Sequence, residues 1–352
     1  MSKIIYGVAG QGFGHSTRSK EILRHLKSQG HEILVFTYNQ ALFFLGDEFE
    51  IFEIPGLGLT YKDGRLSYRW TFWKNTKQLA KQSWQWKKII TRFDEFNPDL
   101  IITDFESTVA YLAKLKKRPL ISIDNQHQLT NTKIVLPKKY FKDLLIVKAV
   151  VKSMVWGDNY YFITTFFETP IAKEKTFLFP PILRREILEL KPEKQDYVLV
   201  YHTDNFDCLV EELKKINCRF VVFGSNMEKV EGNIEFKNYS TYNFLNYLAS
   251  SKAIIGTAGL SLITESLYLK KPYLALPVKK QIEQIVNAHY LKRQGYGDFA
   301  FEFTKEKFDE FIKNIGEFEN NLNRCNYTNN EAIFRKLDEV IDDVVQSQKS
   351  KV

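Results

Sequence analysis

The sequence predicts an α/β protein built from two doubly wound parallel sheets. Three observations lead there: apolar runs of strand length alternate with segments of helical period, the alternation stops at a proline-rich stretch and begins again, and 352 residues suit two domains better than one. A hydrophobic fraction of 44% beside 26% charged residues belongs to a chain with a sizeable core, which excludes disordered, collagen-like and low-complexity classes. Two domains imply a cleft, and in open parallel sheets ligands sit outside the carboxyl ends of the strands.

Lys3–Ala9 reads as a buried strand that runs into the glycine loop Gly10–His15. Arg18–Gln29 has Ile22, Leu23 and Leu26 at helical spacing, and Gly30 ends it. Glu32–Thr37 is the next strand. Asp99–Thr103 and Pro119–Ile123 are short apolar strands with the helix Ser107–Lys117 between them, and Tyr160–Phe167 closes the first half. Pro170, Pro180, Pro181 and Pro192, among many charges, mark residues 169–194 as a linker between a domain of residues 1–168 and one of residues 195–330. There the rhythm restarts with strands Tyr197–Tyr201, Arg219–Phe223, Ala253–Ile255 and Tyr273–Leu276, and helices Cys208–Ile216, Tyr242–Ser250, Leu260–Leu269 and Gln281–Gln294. Lys305–Lys349 is charged and helical, and its end, residues 331–352, forms a tail able to pack back on the first domain.

A net charge of +8 favours anionic partners: sugar nucleotides, acidic lipid surfaces or nucleic acid. No recognised motif accompanies the charge to support nucleic acid. Cys208, Cys218 and Cys325 match no disulfide, zinc or redox pattern, so a reducing cytosol is expected. No stretch reaches the ~18 apolar residues of a membrane span, and the first apolar run is too short for a signal peptide.

In Gly10-Gln11-Gly12-Phe13-Gly14-His15, glycines at a strand-to-helix turn allow close backbone approach to a ligand, and the helix start favours an anion. The loop fails the dinucleotide fingerprint, because His15 stands at the third glycine and no acidic residue follows the second strand. His15 itself is either a general base facing the cleft or a helix-capping or phosphate-binding residue. In the second half, Gly256-Thr257-Ala258-Gly259-Leu260 turns from a strand into a helix whose free N–H groups suit a diphosphate. Glu265 on that helix is placed to hold ribose hydroxyls, or is a surface ion-pair residue. Glu283, Gln284 and Asn287 open the next helix and are sugar contacts or ordinary helix polar residues.

Taken together, Gly12, Gly14-His15, Ala258-Gly259…Glu265, Lys271-Pro272, Pro277 and Glu283-Gln284…Asn287-Ala288…Gly295 resemble the nucleotide-sugar glycosyltransferases of the GT-B fold, which has two Rossmann-like domains facing a central cleft. The resemblance is to the branch holding the peptidoglycan N-acetylglucosaminyltransferase and the UDP-glucuronosyltransferases. Gly7-Val8…Gly14-His15-Ser16-Thr17-Arg18-Ser19, Pro98-Asp99…Thr103-Asp104-Phe105-Glu106 and Asp124-Asn125-Gln126-His127 look more narrowly like an uncharacterised bacterial and archaeal subgroup of predicted glycosyltransferases. It implies inverting transfer from a nucleoside-diphosphate sugar, UDP by preference, to a hydroxyl acceptor, with no metal and no cofactor. His15 would be the base, Ala258, Gly259 and Leu260 the diphosphate site, Glu265 the ribose contact, and Glu283 and Gln284 the contacts to the transferred sugar. The loop Tyr201–Phe206 departs from the peptidoglycan enzyme's glycine-rich sequence, and Gly224-Ser225-Asn226 and Tyr239–Tyr242 are the candidates for the base.

Asp104 and Glu106 follow one strand, and Asn125 and His127 another, so all four should lie near His15 at strand ends. Asp104 either fixes the His15 tautomer or caps the helix near Ser107. Arg18, Glu106, Asn125 and His127 are expected on the acceptor side. Tyr61–Lys88 interleaves basic and aromatic residues, and Lys139–Trp156 sets Tyr140, Leu144, Val147, Val151 and Val155 on one stripe with Lys142, Lys148 and Lys152 off it. The first would stack on sugars or bases or sit at a membrane interface, and the second would be an interfacial helix on an anionic membrane or plain packing on the sheet; membrane attachment would suit a lipid- or envelope-linked acceptor at the inner face. The alternative functions are a sugar-nucleotide 2-epimerase of the same fold and a non-catalytic nucleotide-sugar or membrane-surface binding protein.

Overall fold

In a computed structural model the chain is described over residues 1–10, 12–56, 61–62, 65–66, 83–157, 159–201, 206–224, 227–325 and 329–350. It divides into two compact units, the first built from Met1–Lys62, Leu66–Arg184 and Asn329–Val352, the second chiefly from Arg185–Thr328.

The first unit contains a seven-stranded sheet of β1 (Lys3–Val8), β2 (Glu32–Thr37), β3 (Ile51–Glu53), β6 (Leu100–Asp104), β7 (Leu120–Asp124), β8 (Tyr160–Thr164) and β9 (Thr176–Phe179), while β4 (Tyr61–Lys62) and β5 (Arg65–Leu66) pair with each other. The order is β3-β2-β1-β6-β7-β8-β9 and every pairing is parallel. Five of the six β1 residues are buried, as expected for a strand covered on both faces. Ile4, Tyr6 and Val8 point to one face, where they meet Ile22, Leu23 and Leu26 of the helix Phe13–Ser28. Ile333, Leu337, Val340, Ile341 and Val344 of the terminal helix Glu331–Lys349 complete that core. Ile5 points to the other face, against Ile89 and Phe93 of the helix Ser83–Phe96 and Val109 and Leu112 of the helix Ser107–Leu115. Gly7 lets that last helix approach: a Cβ there would lie 2.3 Å from Val109 Cγ2.

Two boundaries differ from the expectation. The stretch 169–194 supplies strand β9, and the units part between Arg184 and Arg185. Prolines at 170, 180 and 181 flank this strand rather than exclude it, since proline is tolerated at strand ends.

The second unit repeats the plan with β10 (Val198–Tyr201), β11 (Phe220–Phe223), β12 (Lys229–Glu231), β13 (Ile234–Lys237), β14 (Ala253–Gly256), β15 (Tyr273–Ala275) and β16 (Gly297–Phe299), in the order β12-β13-β11-β10-β14-β15-β16. Only β12 runs antiparallel to its neighbour β13. In both sheets the winding reverses beside the first strand, between β1 and β6 and between β10 and β14. Loops leaving such a pair diverge, and the crevice they open is where α/β sheets bind ligands.

Candidate functional site

At the reversal point of the first sheet, Val8 pairs with Asp104, so β1 and β6 end side by side. The chain leaves β1 through Gly10, where a Cβ would sit 1.9 Å from the Tyr38 carbonyl oxygen, and through Gly12, whose φ of 78° lies in the left-handed region. Gly12 caps the helix Phe13–Ser28 without a side-chain hydrogen bond, and Gly14 and His15 lie in its first turn. His15 Nδ1 lies 2.7 Å from Asp104 Oδ1. Asp104 is fully buried; Ser19 Oγ donates to its Oδ2 at 2.9 Å, Arg18 Nε donates to the same oxygen at 2.6 Å, and Arg18 Nη2 donates to Oδ1. Burial by itself would raise the Asp104 carboxyl; the Arg18 charge and the His15 ring outweigh it and hold the group below its usual value. Beneath it, the phenol of Tyr6 is pushed well up, first by burial and then by the Asp104 charge, and stays protonated.

Phe105, at φ 55°, makes the sharp turn after β6. Its left-handed backbone sends Glu106 back to the helix Ser107–Leu115, where the carboxylate accepts from the backbone N–H groups of Thr108 at 2.9 Å and Val109 at 2.8 Å. Of the two readings of Asp104, the geometry is that of the histidine partner, and Glu106 is the helix cap. Burial raises the Glu106 carboxyl despite these two bonds.

The four residues expected on the acceptor side are all buried. Arg18 Nη1 donates to Asn125 Oδ1 at 2.9 Å, and both residues are buried. His127, 2% exposed, bonds Asp124 through its ring at 2.6 Å and through its backbone N–H at 2.8 Å. Burial would raise Asp124, but the His127 ring and the Ser122 hydroxyl, which donates at 2.6 Å, hold it down at about 2. With Glu106 committed to its helix, all four side chains are hydrogen-bonded within the unit. Glu106, Asn125 and His127 follow central strands and fall under the helices that cover the sheet, and Arg18 sits on one of those helices. Ser19 and Tyr6 belong to the same cluster. Ser19 closes the motif Gly14–Ser19 and stands four residues after His15 on one helix face, whereas Tyr6 carries no signal of its own in the sequence.

In the second unit, Gly256–Gly259 leads from β14 into the helix Leu260–Tyr268, which Gly259 caps without a side-chain hydrogen bond. Its first-turn N–H groups therefore lack a side-chain capping acceptor. Ala258 is fully buried and its carbonyl accepts from Asn287 Nδ2 at 3.0 Å, which ties the loop to the helix Ile282–Arg293. Gln284 Oε1 accepts from the Val278 N–H at 2.9 Å, so it holds the loop before its own helix. Asn287 and Gln284 thus shape loops, whereas Glu265 is buried on the helix that Gly259 opens and Glu283 is half-buried at the start of the next. Tyr201, Tyr239 and Phe244 cluster at the β10 end, with ring centroids 5.2 to 6.1 Å apart. Residues 202–205, Ser225 and Asn226, and most of Tyr61–Lys88, lie outside the described residues.

The helix Phe141–Met154 packs most of its expected stripe: Tyr140, Leu144, Val151 and Val155 are buried and Val147 is half-buried. It also carries a second apolar face, since Phe141, Leu145 and Ile146 are exposed, with Trp156 just beyond. No helix among the described residues is long and apolar enough to cross a membrane. No group of three or more His, Cys, Asp or Glu side chains among them is placed to hold a metal ion.

Comparison with known proteins agrees with this architecture. An "Uncharacterized glycosyltransferase" of Methanosarcina mazei is 25% identical over 371 residues, covering 97% of this chain and 96% of that protein. UDP-N-acetylglucosamine–N-acetylmuramyl-(pentapeptide) pyrophosphoryl-undecaprenol N-acetylglucosamine transferase 3 of Bacillus cereus is 27% identical over 133 residues, covering 34% of this chain and 37% of its own. The crystal structure of the kitacinnamycin glycosyltransferase superposes with a TM-score of 0.66 at 15% identity, covering 96% of this chain and 98% of that one. The model of glycosyl transferase family 1 matches residues 2–316. The two sheets, their reversal points and this match make the chain a glycosyltransferase of the GT-B fold, belonging to glycosyl transferase family 1.

Proposed function

We propose that this enzyme moves a sugar from a nucleoside-diphosphate donor, UDP-linked by preference, to a hydroxyl acceptor in one inverting displacement that needs no metal. The observation that carries the reading is the His15–Asp104 pair, 2.7 Å apart at the reversal point of the first sheet. An ionised Asp104 only accepts hydrogen bonds, so it holds the proton on His15 Nδ1 and leaves the Nε2 lone pair for the acceptor. As the acceptor oxygen forms its bond to the anomeric carbon, Nε2 takes the hydroxyl proton, and the bond from that carbon to the diphosphate breaks with its electron pair. The leaving diphosphate carries the developing charge, and the N–H groups at the start of the helix Leu260–Tyr268 supply donors to meet it. Glu265 would hold the ribose and Glu283 the transferred sugar, with Gln284 and Asn287 shaping the loops around them.

The relative from Bacillus cereus acts, by its name, on an undecaprenol-linked acceptor, which supports a lipid- or envelope-linked acceptor here as well. The exposed Phe141, Leu145, Ile146 and Trp156, beside the exposed Lys142 and Lys152, form a basic apolar face of the kind that settles on anionic lipid. The membrane part fails if the protein does not co-sediment with anionic liposomes at low salt.

The chemistry is tested by calorimetry and turnover against a panel of nucleotide sugars. His15→Ala should nearly abolish transfer and leave UDP binding intact, whereas Glu265→Ala should weaken that binding. Unchanged turnover in the His15 variant would overturn the mechanism.

A further inference from the structure

We propose that Arg18 is a positioning residue that fixes the Asp104 carboxylate and, through it, the tautomer of His15. The inference rests on the reading of His15 as the base.

Arg18 stands one helical turn after His15, on the same face of Phe13–Ser28. Its guanidinium reaches three acceptor oxygens: Nε donates to Asp104 Oδ2 at 2.6 Å, Nη2 to Asp104 Oδ1, and Nη1 to Asn125 Oδ1 at 2.9 Å. Ser19 Oγ and His15 Nδ1, at 2.9 and 2.7 Å, bring the number of donor groups around the carboxylate to four. A carboxylate has about four lone-pair sites, so Asp104 has its full complement of donors and is fixed in orientation.

Arg18 Nη2 also lies 2.8 Å from His15 Nδ1. With Asp104 ionised, this is the meeting of two donors at one shared oxygen, Oδ1. The guanidinium cannot give up its proton, so a permanent positive charge stands against the imidazole. Held by His15 and Ser19 alone, the carboxylate could turn about its bond to Cβ; the two donors from Arg18 keep Oδ1 facing His15 Nδ1, and with it the hydrogen bond that selects the tautomer.

The other groups around the pair do not replace it. Tyr6, from β1, is protonated; Glu106, beyond β6, is turned to the helix Ser107–Leu115; Asp124, from β7, is engaged by His127 and Ser122. Arg18 is the cation in hydrogen-bond contact with Asp104 at this site.

The test needs no substrate. Protein labelled with nitrogen-15 histidine is titrated by NMR as wild type, Arg18→Lys and Arg18→Met, with His15 assigned by the signal lost in His15→Gln. In the wild type, neutral His15 should carry its proton on Nδ1. In Arg18→Met, where Asp104 loses two of its four donors, the nitrogen-15 shifts of the neutral ring should move toward a mixture of the two tautomers. Arg18→Lys keeps the charge without the two-pronged fork and should fall between the two. Wild-type shifts retained in folded Arg18→Met overturn the proposal. If that variant does not fold, a wild-type ring protonated on Nε2 overturns it alone. Loss of sugar transfer in His15→Ala is a separate readout, so the functional reading and this one fail independently.

Discussion

Replacing Asp104 by asparagine exchanges one carboxylate oxygen for an NH2 group and reverses the hydrogen-bond logic of the site. The amide keeps one acceptor oxygen, which is best turned to Arg18 Nε and Ser19 Oγ, now 2.6 and 2.9 Å from Oδ2. Its NH2 then faces His15 Nδ1, which must accept, so the ring proton moves to Nε2 and the base loses its lone pair. Loss of the correct tautomer costs roughly three to four orders of magnitude in kcat, or about 4–5.5 kcal/mol of transition-state stabilisation. A second effect falls on stability, because Arg18, 7% exposed, is left without its anion; breaking a buried pair from one side costs about 3–5 kcal/mol. Initial rates with the best donor from the nucleotide-sugar panel would measure the first effect, and urea unfolding the second. UDP affinity should be unchanged by calorimetry if the protein remains folded. A folded Asp104→Asn enzyme within tenfold of wild-type rate, alongside an inactive His15→Ala, would refute the tautomer argument.

Gly10→Ala places a methyl group 1.9 Å from the Tyr38 carbonyl oxygen, so the glycine loop must shift; stability should fall by about 1–3 kcal/mol in thermal unfolding. Asp124, held at about 2 in the folded protein, should contribute about 2 kcal/mol of stability at neutral pH. Its folded value lies below the unfolded one, so that contribution is present above pH ~4 and is lost as the pH falls toward 2. Urea unfolding of the wild type and Asp124→Asn should therefore show a steady gap down to about pH 4 that narrows from there toward pH 2, and a constant gap would contradict the assignment. Asn287→Ala removes the bond to the Ala258 carbonyl and should weaken UDP binding about fivefold, equivalent to about 1 kcal/mol, by calorimetry.

The strands that the sequence revealed were those buried on both faces. Lys3–Val8, Phe220–Phe223 and Ala253–Gly256 are continuous apolar runs and stand out without their neighbours. Ile51–Glu53, Lys229–Glu231 and Ile234–Lys237 were passed over, being three or four residues long and partly polar toward a sheet edge. Thr176–Phe179 was hidden by the prolines around it.

At the site, motif order and strand ends were enough to single out His15 and Asp104, and the turn into the helix Leu260–Tyr268. The same reasoning assigned Arg18, Glu106, Asn125 and His127 to the acceptor. Residue type tells what a side chain can bond to, and all four found those bonds within the protein.

By itself, the sequence determined the two α/β halves, because strand and helix periods, glycine turns and helix stops are local properties carried by neighbouring residues. Only the tertiary structure decided that β1 lies beside β6, which sets His15 against a carboxylate 89 residues away. Burial there leaves Asp104 no water to bond, so Arg18, Ser19 and His15 must satisfy it together, and that competition is visible only once the strands are side by side.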